Sequence, residues 1–547
     1  MSNHVQDLAR KILTNRSMKY FFYDSLGVAW ERITVSGLRA SDLNRGDAAT
    51  RGFFRLPEML GNITTLREIT MINNGDKLRG PIPPSLGNLT NLGLLNLAEN
   101  NLTGIIPVEL GNLTNLTGLG LAGNSLGKDQ DGNVIPIGHG GGIPHQLGNL
   151  TNLIKLNLSR NELRGGIPWQ LGNLTNLQGL SLSGNPLDGP IPHQLSNLIN
   201  LKILKLFSND LTFPIPPELG NLTELVHLDL SKNMLVGGIP QELNLMRKLE
   251  HIWLNENPLE GPIPPQLGLM TKLVNFNVNS CLLTEGIPVE LGNLTDLKAL
   301  DLGQNQLDGP IPPELGNLIN LEYLWLHHNE LTGPIPPVLG NLTNLKRLIL
   351  DRNQLTGPIP PELGVLSNIE LLVLSDNNLT GAIPHQLSNL RNLKILNLVN
   401  NQLTGHLPGT LSKLKNLVSL SLAGNNVTKV QYGTEIVGNY GSHIDSRRDR
   451  ARRVIKKLFK EIAGKTTSLK AVVYKKPDSQ IPEEVARDHV APFLFGNIIK
   501  PYKKQLSRVD GKGAYFNTRF GVQKLRDDER GLYLKNGKGV RLYLYEW

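Results

Sequence analysis

Cysteine is almost absent from this chain. One, Cys281, stands in 547 residues, which excludes an intrachain disulfide and suits a reducing compartment. Long hydrophobic runs are missing as well: apolar residues are interrupted before the roughly 18 in a row that a membrane-spanning helix requires. The N-terminal stretch lacks the unbroken apolar core of a secretory signal, because Phe21, Phe22 and Tyr23 run straight into Asp24. These gaps together lead us to expect an intracellular, cytoplasmic protein without a membrane span. Catalytic signatures are missing too. Ala463-Gly464-Lys465-Thr466-Thr467 ends like a phosphate-binding loop, but Phe459 stands where that loop needs its first glycine, and the residues before it read as a helix instead of a strand. There is no H-R-D or D-F-G set. No nucleophile, base and orienting acid can be assigned together, so the expectation is a non-enzyme with no cofactor and no metal site.

What the chain does have is glycine, 56 residues, and proline, 35, recurring at fixed phase among 39% hydrophobic residues. Aligning it on L-x-x-L-x-L-x-x-N places asparagines at Asn161, Asn185, Asn209, Asn233 and Asn257, then at Asn305, Asn329, Asn353, Asn377, Asn401 and Asn425, a period of 24 residues. Cys281 falls in phase between the two series, and Asn74, Asn100 and Asn124 precede them with small irregularities. About fifteen repeats result. Within each, the x-L-x-L-x run is a short strand with leucines inward and the alternate side chains outward. The asparagine turns inward, where its amide can satisfy backbone groups of neighbouring coils. Cysteine, small and weakly donating, substitutes there, which makes Cys281 structural. The second half, as in Leu331 to Leu345, carries Pro-Pro and glycine, which permit only extended segments and single helical turns outside.

The composite L-x-x-L-x-L-x-x-N-x-L-T-G-x-I-P-x-x-L-G-N-L-x-x-L resembles the plant-type leucine-rich repeat, the pattern of receptor-like kinase ectodomains and polygalacturonase-inhibiting proteins. The resemblance covers residues 50 to 430. It implies an α/β leucine-rich-repeat solenoid with a parallel concave sheet, used to bind another protein. Paired-cysteine caps, usual in those relatives, are missing here.

At the outward strand positions two tryptophans stand out, Trp253 and Trp325. On the same face the pattern places Lys205, Phe207, His227, His251, Tyr323, His327 and Arg347, with His328 at the strand exit. Three repeats separate the tryptophans, about 14 Å at a strand spacing of ~4.8 Å. Tryptophan, tyrosine and arginine dominate interface hot spots, so these nine residues are the candidate partner-binding patch. The competing reading is that the aromatics only cover aliphatic neighbours. The histidines do not complete a tetrahedral metal set, since His327 lies three to four repeats from His227 and His251.

Residues 1–50 read as an N-terminal cap, with Val5, Leu8, Ile12 and Leu13 on a short helix and Trp30, Ile33 and Val35 on a first strand. Gly127 to Gly140 is an insertion whose Asp129, Asp131 and Asn133 follow calcium-loop spacing, but Val134 occupies the obligatory glycine position, so a polar excursion is expected. Residues 431–547 hold 25 Lys+Arg against 13 Asp+Glu and 14 of the 28 aromatics, the composition of a small folded α+β domain. Its first element, 445–463, sets Ala451, Val454, Ile455, Leu458, Phe459 and Ile462 on one face and Arg447, Arg448, Arg452, Arg453, Lys456 and Lys457 on the others. Leu532 to Leu534, the Asn536-Gly537 turn and Val540 to Tyr545 read as a hairpin. This basic domain either caps the solenoid or contacts nucleic acid or another anionic surface. Three functions are therefore carried forward: a protein-binding scaffold using the concave face, a nucleic-acid or ribonucleoprotein component using the basic tail, and a receptor-like surface protein.

Overall fold

The computed structural model describes residues 32–36, 55–427 and 429–431, and six strands between 506 and 544. The chain divides into two compact units, Met1–Ala471 and Val472–Trp547. In the first, sixteen short strands form one continuous parallel sheet, taken in chain order. They are β1 (Arg32–Ser36), β2 (Glu68–Ile72), β3 (Leu94–Asn96), β4 (Gly118–Gly120), β5 (Lys155–Asn157), β6 (Gly179–Ser181), β7 (Ile203–Lys205) and β8 (His227–Asp229), followed by β9 (His251–Trp253), β10 (Asn275–Asn277), β11 (Ala299–Asp301), β12 (Tyr323–Trp325), β13 (Arg347–Ile349), β14 (Leu371–Val373), β15 (Ile395–Asn397) and β16 (Ser419–Ser421). Fifteen of these belong to the repeat. β1 is the cap strand expected around Ile33 and Val35, paired in register Ile33 to Ile69 and Val35 to Met71.

Each coil returns through one turn of 3-10 helix such as Pro313–Asn317, entered from an extended proline (Pro312, φ −61°, ψ 128°) with a second proline at the first helical position. Proline suits that place because its missing N–H would find no partner there. The helical layer is 3-10 throughout the described solenoid. Leucines of both halves meet in a single core running from Leu56 to Val427, nearly all of them fully buried.

The asparagine ladder behaves as the pattern requires. Asn329 donates through Nδ2 to the carbonyls of Leu302 (2.9 Å), Leu326 (3.2 Å) and His327 (3.2 Å), and its Oδ1 accepts from the N–H of Leu307 (3.0 Å). The residue before each ladder asparagine is driven left-handed whatever its identity, for instance Gln304, His328 and Arg352 at φ 52°, 51° and 52°. A second ladder runs along the convex side: the exposed Asn176 and Asn344 donate to the carbonyls of Thr151 and Ile319 one repeat back, each at 2.9 Å.

Cys281 sits in the ladder with its Sγ 3.5 Å from the Leu254 carbonyl. Burial pushes its thiol pKa up to about 12. Across pH 6–9 the group therefore stays a thiol, the unreactive form. Iodoacetamide at pH 8 is expected to leave the folded protein unmodified and to alkylate it after denaturation; modification of the native chain at the rate of a free thiol would show that the site opens.

The insertion closes on itself. Asp129 Oδ1 accepts from the N–H of Asp131 (2.9 Å) and of Asn133 (2.8 Å), and Asn133 Nδ2 donates to Oδ2 (3.1 Å). The Asn133 side-chain bond is the main reason the Asp129 carboxyl lies below its usual range. In the second unit, Gly531–Lys535 pairs antiparallel with Arg541–Leu544, Tyr533 opposite Tyr543, as the expected hairpin requires. The helices expected near residues 5–13 and 445–463, with Arg447, Arg448, Arg452, Arg453, Lys456 and Lys457, lie outside the described residues.

Candidate functional site

Register, not sequence distance, decides what meets on the concave sheet. His227 pairs with His251, and the next outward row runs Asp229, Trp253, Asn277, Asp301, Trp325, Ile349. Because β strands lie about 4.8 Å apart, equivalent side chains on neighbouring strands stack.

Two aromatic ridges result. In the first, the rings of His227 and His251 stack 4.5 Å apart, 9° from parallel, and His251 stacks on Trp253 at 5.2 Å and 4°. Asn275 Nδ2 donates to His251 Nδ1 (2.7 Å), which leaves Nε2 to carry the proton of the neutral ring, 3.9 Å from a Glu250 carboxylate oxygen. Desolvation, then Lys205 for His227 and His227 for His251, holds both imidazoles below their ordinary pKa. The stack is thus an uncharged platform at neutral pH. Beside it, desolvation raises the Asp229 carboxyl although Ser231 Oγ donates to it (2.6 Å).

In the second ridge, Tyr323 and Trp325 lie 5.5 Å apart, tilted 33°, and the Arg347 guanidinium covers the Tyr323 ring at 5.3 Å. The Trp325 indole N–H is buried without an acceptor among the described residues. Between the ridges runs a strip of small and polar residues from β10 and β11: Asn275, Asn277, Ala299 and Asp301 on the strands, with Asn279 Nδ2 donating to Asp301 Oδ1 (3.2 Å) just beyond them. The strip was not singled out from the sequence, since only the register reveals that both ridges flank it.

Eight of the nine residues expected on the open face are half-buried there: Lys205, Phe207, His227, His251, Trp253, Tyr323, Trp325 and Arg347. His327 is not. It is 4% exposed, its imidazole lying over the α-carbon of Gly303, where any β-carbon would collide with it. Its column, two residues beyond the strand, is mixed: Ser183, Ser231 and Ser375 are buried there, whereas Phe207 stays half-buried, and at His327 the bare Gly303 one repeat back lets the ring pack inward. His328 instead stands at the exit, edge-on to His327 and hydrogen-bonded to Arg352. One repeat on, burial above all raises the Asp351 carboxyl to about 7. Among the described residues no group of three or more His, Cys, Asp or Glu could hold a metal ion, and no helix is long and apolar enough to cross a membrane.

A coil of short parallel strands and 3-10 turns, pinned by an internal asparagine ladder, defines the leucine-rich-repeat class. The profile "Leucine Rich Repeat" matches residues 91–113, 152–174, 176–198, 200–222, 224–246, 248–270, 296–318, 320–342 and 344–366, and "Leucine rich repeat" matches 367–427. The chain belongs to this family, in its plant-type repeat class. Among solved structures it is similar to the ectodomain of the Arabidopsis thaliana membrane receptor kinase GASSHO1/SCHENGEN3 in complex with CASPARIAN STRIP INTEGRITY FACTOR 2 (38% identity over 69% of this chain and 43% of that one, TM-score 0.63). It is also similar to the Arabidopsis receptor kinase HAESA in complex with the peptide hormone IDA and the co-receptor SERK1 (34%, 68% and 64%, TM-score 0.58). A leucine-rich-repeat protein of Leptospira interrogans is 34% identical over 70% of this chain and 90% of its own, with a TM-score of 0.55. The chain spans less than two thirds of the length of both receptor chains. No curated protein matches it.

Proposed function

We propose that this chain is a recognition module that grips a polypeptide partner on the concave face between β7 and β13. The observation that carries the reading is the pair of aromatic ridges, Trp253 and Trp325 standing three strands apart in one row with Asn277 and Asp301 between them. An extended chain fits such a strip: amides and Asp301 meet its backbone and polar side chains, and the indoles and Arg347 supply the large contact areas that dominate affinity. Complexes of the similar GASSHO1 and HAESA structures with a peptide hormone, an integrity factor and a co-receptor support it. The ridges are half-buried before any partner arrives, so binding loses little side-chain freedom.

The test compares the intact chain with Trp253→Ala/Trp325→Ala by affinity capture from the native cell, followed by titration of the protein captured. Hot-spot truncations of this kind cost about 2 kcal/mol or more each, so affinity should fall at least ~30-fold while the melting temperature holds. Undiminished capture by the double variant, or capture of nucleic acid that fades steeply with salt, would place the function elsewhere.

A further inference from the structure

One flank of the solenoid departs from the repeat in a way the fold does not need. Beyond each ladder asparagine the next four residues run along that flank beside the neighbouring coil: Asp188–Gly189 lies against Asp210–Leu211, Pro214 against Val236, and Glu260–Gly261 against Leu282–Leu283. The fourth residue is left-handed and in most coils is glycine, as at Gly189, Gly237, Gly261 and Gly309 (φ 75°, 73°, 77° and 68°). In two coils it is not: Phe213 stands there at φ 70° and Glu285 at φ 64°. A side chain in that conformation is strained, a bulky one most of all. Burial does not offset the strain. Phe213 is 57% exposed, and a β-carbon at Gly189, Gly261 or Gly309 would meet open space, so the coil gives an aromatic ring nothing to pack on.

The residues around Phe213 depart from the repeat in the same sense. The first and third positions of the stretch read Gln306, Gln354, Thr332 and Thr356 further along the chain, but here they hold Met234, Val236 and Leu282, which are 55%, 41% and 42% exposed. The N–H of Val236 donates to the Phe213 carbonyl (3.3 Å), so the two side chains start from adjoining backbone. What rims this apolar patch is acidic. From 186–189 to 306–309 these stretches contain Asp188, Asp210, Glu260, Glu285 and Asp308, all exposed, and no lysine or arginine. None of the five is ion-paired among the described residues. A two-fold contact with a second copy would set acid rim against acid rim, and an anionic surface would be repelled likewise.

We propose that this flank is a second docking surface, and that its occupant is a segment of another protein in which apolar side chains are flanked by lysine or arginine. Its apolar residues cover Phe213 and Met234, residue types that fill the centres of interfaces, and its cations meet the acid rim. The patch shares coils with the His251–Trp253 ridge but lies beyond the ladder asparagines, off the concave sheet, so the inference does not rest on what that sheet binds.

The experiment pans a displayed library of random peptides about 12 residues long, enough to span four coils, on the full chain, with Phe213→Gly as the counter-target. That substitution restores the residue of the other coils and should melt at or above the temperature of the parent chain. Peptides that prefer the parent should be apolar and rich in lysine or arginine. The strongest of them, synthesised and titrated, should lose at least about 10-fold in affinity on Phe213→Gly and about 5-fold on Asp210→Asn/Glu260→Gln. It should change by less than about twofold on Trp253→Ala/Trp325→Ala, which alters a different face. A library that does not distinguish the two chains would overturn the proposal. So would selected peptides that are neutral or acidic, or an equal loss of binding in the tryptophan variant.

Discussion

Replacing Phe276 with alanine is expected to cost about 3–5 kcal/mol, the range for truncating a fully buried aromatic side chain. Phe276 is 1% exposed and lies inward on β10, where its neighbours in register are Ile252 and Leu300. An alanine leaves a cavity that flanking coils cannot collapse, because each is pinned by the ladder on both sides. In a solenoid the damage stays near its source, since each repeat contacts only its neighbours. Hydrogen exchange should therefore quicken in β9 to β11 first, and thermal unfolding should split into two transitions instead of sliding down as one. Phe276→Leu, which restores the usual residue, should cost about 1 kcal/mol and keep one transition. The same coil carries Asn275 and Asn277, so a partner held by the strip should bind the alanine variant more weakly. A single transition with exchange raised evenly along the chain would refute nearest-neighbour coupling here.

The coil was legible because its chemistry repeats. Fifteen appearances of one pattern fix the strand positions, the inward leucines and the ladder, and even the cap strand around Ile33 and Val35 follows from where the alternation resumes. What a repeat cannot announce is how one column differs from the next. His327 alternates with Leu326 and so reads as outward, yet the chain turns inward after Trp325 and the imidazole is packed over Gly303. Its signal was Gly303, one repeat back in the same column, which leaves room for the ring; the column as a whole gives none, since it also admits the half-buried Phe207. The ridges were visible as residue types, but their separation by Asn277 and Asp301 needs the register.

Asn329→Ala should be nearly as damaging as the cavity, at about 2–4 kcal/mol, through lost hydrogen bonds in place of lost contacts. The substitution strands the N–H of Leu307 and removes the donor shared by the carbonyls of Leu302, Leu326 and His327, all buried. Cys281 shows what a ladder position needs in order to do without an amide. There the N–H of Leu259, which the pattern would assign to an asparagine side chain, turns back to the carbonyl of Asn257 at 2.8 Å. Pro258 lies between the two; its fixed φ suits a three-residue turn, and it has no N–H of its own to place. At Leu307 the intervening residue is Gln306, whose N–H is already committed to the Leu283 carbonyl (2.8 Å), so the same retreat would break a second bond. Asn329→Cys should therefore destabilise the protein by well over 1 kcal/mol even though cysteine is native two positions back in the ladder. Chemical denaturation of Asn329→Ala, Asn329→Cys and the double variant Asn329→Cys/Gln306→Pro separates the causes. Partial rescue by the proline would show that the backbone turn, and not the thiol, is what makes Cys281 acceptable; equal stability of Asn329→Cys and the parent chain would show that the amide contributes nothing the thiol does not.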